Sequence, residues 1–404
     1  MFPLLRILTL NGGSSSLKFS IYEIAPGLEE KMLQGQFERI GTAQARLEVT
    51  KPDGSPAIQE AVASTDHSSA VAHLLAKLNA LDPGALDAVG HRLVQGGPIH
   101  RAAEVVTPAL LRDLKQLSAL DPLHLPDELM ILCTAQEHKP HIPHVACFDT
   151  AFHRDLPRVA QLLPLPREFT QDTALQRFGF HGLSYEYILG ELARVAGGET
   201  AEGRVIIAHL GSGASMAAVV DGRCVETTMG FSPAAGLVMA SRPGDLDPGI
   251  WEYLLRTRKI TPEGLQELVY RKCGLKGVSG SSGDIRDLLA AQDSDSHARD
   301  AIDLFCHQAR KALGALVSVL DGVDTLIFTG GIGEHAALPR MRICAGLSHL
   351  GLQIDDQLNQ QNQSIISTSG STVTVRVMKT NEELVIARHT ARLAQSQTQS
   401  TPLD

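Results

Sequence analysis

The chain has 404 residues, 43% of them hydrophobic and 20% charged, and a formal net charge of −9. That length exceeds one average domain, so two cores are expected, and the ordinary globular composition excludes extended disorder away from the ends. The acidic balance, with no run of Lys and Arg able to neutralise a phosphate track, excludes a nucleic-acid footprint.

The opening MFPLLRILTLNGG is apolar but short and runs straight into a polar loop without a small-residue cleavage site, so it reads as a first strand. No apolar run approaches the roughly 20 residues of a bilayer span, and neither secretion nor a membrane partner is expected. Residues 7–21, ILTLNGGSSSLKFSI, place a Gly- and Ser-rich loop between two alternating apolar strands. Gly12 and Gly13 let backbone approach a ligand, Ser14, Ser15 and Ser16 offer N–H and hydroxyl donors, and Lys18 supplies a cation, a set suited to phosphate. An ordinary hairpin is the competing reading, because hairpin turns select Asn-Gly for backbone reasons alone. The Walker spacing is absent, and the loop runs into a strand where a Walker loop would open a helix.

Further along, LDAVGHRLVQGG reads as a strand from Ala88 ending in a glycine turn, and HVACFDTAF as a strand that stops at Asp149. Polar residues after such runs are the ones to inspect, since ligands of open α/β sheets collect beyond the carboxyl ends of the strands. A boundary just after Asp149 gives domains over 1–150 and 151–383, with a terminal helix over 384–404 packing back on the first. Val205–Val220 repeats the loop between strands, Gly211, Gly213 and Ser215 answering to Gly12, Ser14 and Ser16. That implies a duplicated architecture whose halves close on a shared phosphate chain. Phe305–Leu320 has helical apolar spacing, and the apolar run Thr325–Thr329 breaks at Gly330-Gly331. Thr380 is the expected N-cap of the last helix with Glu383 at the capping-box position, and SQTQSTPLD reads as a frayed tail. Cys133, Cys147, Cys224, Cys273, Cys306 and Cys344 show no C-x-x-C pairing, which points away from zinc and disulfides and fits a reducing cytoplasm.

Nine segments in order, NGGSSSLKF (11–19), GHRLVQGG (90–97), FDTAFH (148–153), FGFHGLS (178–184), HLGSGAS (209–215), SRPGDLDPG (241–249), SGDIRDL (282–288), GGIGEH (330–335) and TNEEL (380–384), resemble the acetate kinase family. The resemblance implies an α/β, duplicated actin-like (ribonuclease H-like) ATPase fold with two domains flanking a nucleotide cleft, and a homodimer. It also implies reversible, Mg²⁺-dependent phosphoryl transfer from ATP to acetate, giving acetyl phosphate and ADP, with Mn²⁺ as a substitute metal and propionate or butyrate as alternative acids. By resemblance Arg92 and Arg242 hold the carboxylate and the moving phosphoryl oxygens, and His181 donates a hydrogen bond to that group. The chemistry explains the choice: transfer is mainly positioning plus positive charge, and the arginine fork matches carboxylate and phosphate.

Asp149 takes the family's acid–base position, yet a substrate carboxyl of pKa near about 4 is already ionised at neutral pH, so holding Mg²⁺ or its waters is the better role. Asn11 and Glu382 match the remaining metal-site positions. Lys18 lies near the phosphates with Ser14 and Ser16. His209, Leu210, Gly211, Ser212 and Gly213 run along the phosphate chain; Asp284, Ile285 and Arg286 are near the nucleoside; Gly331, Ile332, Gly333, Glu334 and His335 lie beneath adenosine and the α-phosphate. Val94, Leu123, Phe180 and Pro233 match the pocket for the substrate methyl, where one methylene is worth only about 1–3 kcal/mol of discrimination.

The chain departs from the family pattern at Gln95, Leu183, Tyr185, Ser212 and His335. Ser212 shortens a side chain beside the transferring phosphate, leaving a gap that a water can bridge. Two other functions compete. Gly331-x-Gly333-x-x-Ala336 after a strand, with Asp355 and Asp356 downstream, loosely meets a dinucleotide fingerprint of an NAD-dependent oxidoreductase. The same fold also serves non-catalytic actin-like ATPase switches.

Overall fold

The computed structural model describes residues 3–64, 66–81, 84–171 and 175–400. They form two compact units, 1–151 with 381–404, and 152–380.

The first unit is built on a mixed sheet of eight strands: β1 (Leu5–Gly13), β2 (Ser16–Ala25), β3 (Leu28–Glu38), β4 (Arg46–Thr50), β5 (Pro56–Ala61), β6 (Ala88–Leu93), β7 (Glu104–Val105) and β8 (His144–Phe148), in the order β5-β4-β3-β2-β1-β6-β8-β7. β1 is central and its residues from Ile7 to Gly12 are all buried. Leu8 and Leu10 face one layer, packing with Ala70, Leu74 and Leu78 of the helix His67–Leu81 and with Ile131 and Ala135 of the helix Leu125–His138. Ile7 faces the other, against Ala387, Ala391 and Ala394 of the C-terminal helix. Those alanines, spaced at i, i+4 and i+7, let the helix lie close on the sheet. Gly90 makes the same allowance from the strand side, because a Cβ there would stand 2.5 Å from Ile386 Cγ2 and 2.3 Å from Thr390 Oγ1.

The Gly- and Ser-rich loop between the two strands is the turn of a tight hairpin. β1 and β2 pair antiparallel as far as Gly13 with Ser16, leaving only Ser14 and Ser15 as the turn. The apolar alternation runs up to the glycines, and the ladder follows it.

The second unit repeats the first in reduced form. Its sheet has β9 (Val205–Leu210), β10 (Ala214–Val220), β11 (Arg223–Thr227), β12 (Thr325–Thr329) and β13 (Thr374–Val377), ordered β11-β10-β9-β12-β13. Two antiparallel neighbours are followed by two parallel ones, the pattern of β3-β2-β1-β6-β8. Gly211, Ser212 and Gly213 form the turn that corresponds to Ser14-Ser15. The helix Ser296–Val319 turns Ala298, Ala301, Ile302, Phe305, Ala309, Leu313 and Leu316 inward. This is the duplicated actin-like α/β architecture.

Two readings of the chain end are corrected. The last helix spans Glu382–Ser400, so 396–400, expected to fray, are helical, while 401–404 lie outside the described residues. Its cap is Asn381, whose Oδ1 accepts from the Leu384 N–H at 3.2 Å. Thr380 instead pairs through Oγ1 with Ser184 Oγ at 2.9 Å, and Glu383, displaced from the capping-box position, accepts from Asn11 Nδ2 at 3.3 Å. Among the described residues no helix is long and apolar enough to cross a membrane, and the cysteines form no disulfide.

Three buried histidines are held neutral. His91 Nε2 and His144 Nδ1 share a 2.9 Å hydrogen bond within a stacked pair, and His153 bridges Cys224 Sγ and the Phe180 carbonyl. Burial lowers all three pKa values, His153 to about 4. The unfolded chain therefore binds more protons below about pH 6.5, and stability falls with pH by up to about 1.4 kcal/mol per unit for each histidine. Urea unfolding at pH 7.5 and 5.5 should show this loss. His153→Gln, which keeps a donor for the Phe180 carbonyl but cannot titrate, should show a shallower dependence; equal slopes would refute the assignment.

Candidate functional site

In the first unit Asn11, Arg92 and Asp149 meet because β1, β6 and β8 run parallel and end together, with Leu10 beside His91 and Arg92 beside Cys147. Arg92 Nη2 donates to Asp149 Oδ2 at 2.6 Å and Nε to Oδ1 at 3.3 Å, while Nη1 donates to Asn11 Oδ1 at 3.2 Å and the Gly12 carbonyl at 3.4 Å. The side chain of Asp149 is 1% exposed and that of Arg92 16%. Of the five guanidinium N–H groups, one on Nη2 is left for a ligand. Burial works to lower the Arg92 pKa, but Asp149, Glu382 and Glu128 outweigh it and hold the cation well above its ordinary value.

Asn11 turns its amide the other way, donating to Glu382 Oε2 at 3.4 Å and to Glu383 Oε1 at 3.3 Å at the start of the C-terminal helix. Burial pushes Glu382 up to about 7, with Arg92 and Lys18 opposing and Asp149 and Glu383 adding to the rise. Lys18, paired with Asn11 in the hairpin register, is exposed, as is Ser14, and Ser16 is half-buried. Val94 is buried and Leu123 half-buried in this unit. Among these side chains, Lys18, Asn11, Arg92, Asp149, Glu382 and Glu383 are tied together by hydrogen bonds or charge.

Glu128 is a member that sequence reading missed. It is buried, its Oε2 accepts from the Val94 N–H at 2.9 Å, and its Oε1 has no partner. Burial pushes its pKa up to about 8, against the pull of Arg92 and the Val94 amide. The available signal was an acid at helical spacing among Leu125, Leu129 and Leu132, which form the buried face of its helix.

In the second unit the hairpin turn, the segment Phe178–His181 and residues 233–242 converge. His181 caps the helix Gly182–Ala196 with φ of 59°, a left-handed conformation unusual for histidine and a frequent mark of functional sites. Its Nδ1 bonds Ser215 Oγ at 2.8 Å, Ser215 in turn meets the Tyr185 hydroxyl, and its ring stacks on His209 with centroids 4.3 Å apart. His209 Nδ1 meets Ser184 Oγ at 2.8 Å. Arg242 Nη1 donates to the Pro233 carbonyl at 2.6 Å. Gly213 is the meeting point: a Cβ there would lie 2.7 Å from Arg242 Nη2 and 3.0 Å from His181 Nε2. Phe180 and Pro233 are buried in this unit.

A cavity of about 630 Å³ opens beside the same turn, lined by Gly211, Ser212, Asp284, Ile285, Arg286, Gly331, Ile332 and His335, together with Ala240, Gly283, Leu289 and Ala336. Its size suits a nucleotide-sized ligand, and Ile285, Leu289, Ile332 and Ala336 give it an apolar wall. Asp284 caps the helix Ile285–Ala291 and grips Arg286 through Nε and Nη2, which leaves the Arg286 side chain 86% exposed at the rim. His335 is exposed as well. Leu210 and Glu334 do not line this space. Leu210 is core, and Glu334 Oε1 accepts from the Gly330 N–H at 3.1 Å and the Thr380 N–H at 3.2 Å, bracing the turn from behind.

The dinucleotide reading fails on structure. Gly331 and Gly333 lie in a helix after β12 of a sheet that contains an antiparallel hairpin, and Asp355 caps the short helix Asp356–Gln360 by accepting from Leu358 N. No ribose-binding acid at a strand end results.

Two copies of one sheet pattern, glycine turns at matching strand ends and an apolar-walled cavity define a duplicated actin-like nucleotide-binding protein. The chain belongs to the acetokinase family, whose sequence model matches residues 6–388. It is 43% identical to an acetate kinase of Rhodopseudomonas palustris over 96% of this chain and 98% of that one. It is 40% identical to a propionate kinase of Salmonella typhimurium, covering 96% of each. The crystal structure of a propionate kinase from Francisella tularensis subsp. tularensis superimposes with a TM-score of 0.90 at 33% identity, covering 96% of this chain and all of that one.

Gly213→Ala should displace the ends of Arg242 and His181 without disturbing the core. Turnover is expected to fall about 100-fold, the scale of an ångström-sized misplacement, with the melting temperature nearly unchanged. Steady-state kinetics beside a thermal melt tests this; unaltered kcat would show that these two ends need no fixed position.

Proposed function

We propose that this chain reversibly transfers the γ-phosphoryl group of ATP to acetate, giving acetyl phosphate and ADP. The observation that carries the reading is the pair of guanidinium clusters at strand ends and turns, Arg92 with Asn11 and Asp149, and Arg242 with His181 and Gly213. Acetate is already ionised at neutral pH, so no base is needed to expose the nucleophile. Arg92, through its remaining N–H, holds the acetate carboxylate, while Asp149 fixes the plane of the fork. Arg242 and His181 donate to the oxygens of the moving phosphoryl group, where negative charge must be stabilised in the transition state.

The nucleotide occupies the second-unit cavity, its base against Ile285, Leu289, Ile332 and Ala336 and its phosphates toward the turn at Gly211–Gly213. The donor chemistry fits Mg²⁺. Among the described residues no three His, Cys, Asp or Glu form a metal cage, whereas Asn11 joins the carboxylates of Glu382 and Glu383. An ion that takes one or two carboxylates plus phosphate oxygens and water suits that set, and Mn²⁺ shares its preference for oxygen. When bound, the ion neutralises phosphate charge.

A homodimer is part of the proposal. The helix Pro248–Thr257 buries none of its residues, and Ile250 and Tyr253, three positions apart, are exposed on one side of it, an apolar patch that a second copy would cover.

With ATP, Mg²⁺, acid and hydroxylamine the enzyme should form acyl hydroxamate, with kcat/KM falling about tenfold or more for each added methylene from acetate to butyrate. Arg242→Ala should lower kcat about 1000-fold. A preference for propionate would reassign the acid, and no product from any of the three acids would end the proposal. Tyr253→Asp should shift the mass measured by light scattering from two chains to one; an unchanged mass would exclude this face from the interface.

A further inference from the structure

Arg340 is fully buried, and it is the largest side chain so enclosed. Its guanidinium has no carboxylate partner among the described residues. Nε donates to Asn359 Oδ1 at 2.8 Å, Nη1 to the Gly333 carbonyl at 2.8 Å, and Nη2 to the Asn359 carbonyl at 2.7 Å and Asn362 Oδ1 at 2.6 Å. Asn359, itself buried, passes the link on by donating from Nδ2 to the Ala337 carbonyl at 2.9 Å. A buried cation without an anion is costly. What the charge secures is geometric: a planar fork can grip the helix Gly330–His335, the helix Asp356–Gln360 at Asn359 and the turn at Asn362 together, which Lys or an apolar residue cannot do. The helix Gly330–His335 is the one whose Gly331, Ile332 and His335 line the cavity. Glu334 holds that helix at its first N–H and Arg340 holds it at the Gly333 carbonyl.

We infer that Arg340 is a positioning residue for nucleotide binding, fixing from beneath the helix on which the nucleoside rests. The inference depends on the assignment of this cavity to the nucleotide. It places a determinant of nucleotide affinity outside the cavity, since Arg340 does not line it. Affinity for the carboxylate should be indifferent to it, because Arg340 has no contact with the proposed acid-binding residues.

The test uses the full-length enzyme with ADP as the calorimetric probe and ATP and acetate in steady-state assays. Arg340→Lys keeps the charge and loses the fork; it is expected to weaken ADP binding and raise KM for ATP about tenfold or more, with KM for acetate within about twofold of wild type. Asn362→Gly, at an exposed position with φ of 50° that glycine tolerates, removes one acceptor and should weaken ADP binding about threefold even if Arg340→Lys folds poorly. Unchanged ADP affinity in both variants, or in Asn362→Gly alone where Arg340→Lys does not fold, would overturn the inference and leave Arg340 a purely structural residue. A parallel rise in KM for acetate would overturn it too. Failure of the wild-type enzyme to bind ADP would instead defeat the assignment of the cavity.

Discussion

In the first unit β1, β6 and β8 run parallel in a register that sets Leu10 beside His91 and Leu93 beside Phe148, so the residues that follow reach the same edge of the sheet. That alignment brings Asn11 and Asp149, 81 and 57 positions from Arg92 in the chain, within hydrogen-bonding distance of Arg92. The second unit uses the same device: His209 pairs with Thr329 and Phe328 with Val377, so the turn at Gly211–Gly213, the helix at Gly330 and the segment ending at Thr380 begin level. Parallel ladders with buried faces are strongly specified, since a slip of one residue would turn every core side chain outward. The site geometry is thus fixed by core packing far from the chemistry.

Much of this was legible because the pattern is local. Alternating apolar residues located β1, β2, β9 and β10, and the strands ending at Leu93, Phe148 and Thr329 followed from apolar runs broken by glycine or acid. The duplicated fold was visible in two matching turns. What local pattern misjudged was competition between neighbours. Thr380 and Asn381 are both good caps, and Asn381 won because Thr380 is drawn off by Ser184 and by Glu334 from distant parts of the chain. The serines after Gly13 looked like a loop because their number suggested one, whereas strand pairing continues through Ser16 and leaves a two-residue turn.

Other features were hidden from sequence for a physical reason: they are defined by what is buried beside them. Glu128 is unremarkable as a letter on a helix and becomes informative only when Val94 N–H is found on one oxygen and nothing on the other. Glu334 sits in a glycine-rich motif, which suggested ligand contact, yet its carboxylate serves backbone N–H groups. The positive φ of His181 has no single-residue signal, since a histidine between Phe180 and Gly182 is compatible with many conformations. Ser215 and the stacked His209 together hold it there.

The two units treat buried cations in opposite ways, and the difference follows from what each must meet. Arg92 is paired with Asp149 and approached by Glu382 and Glu128, so its surroundings are acidic even though the guanidinium stays charged. On the proposed reading, an anionic acid entering such a place meets one partly committed arginine beside Glu128, which burial eases toward its neutral form. Neutral carboxyls reduce the repulsion that would otherwise oppose binding. Arg340, in contrast, is hydrogen-bonded to amide and carbonyl oxygens alone, and burial brings its pKa down to about 10, still well above neutrality. Its charge is therefore retained without an acid, which is tolerable because four hydrogen bonds solvate it in place of water. Had an acid been placed beside it, the fork would have turned to that acid, as Arg92 turns to Asp149, and the Gly333 carbonyl would have lost its anchor.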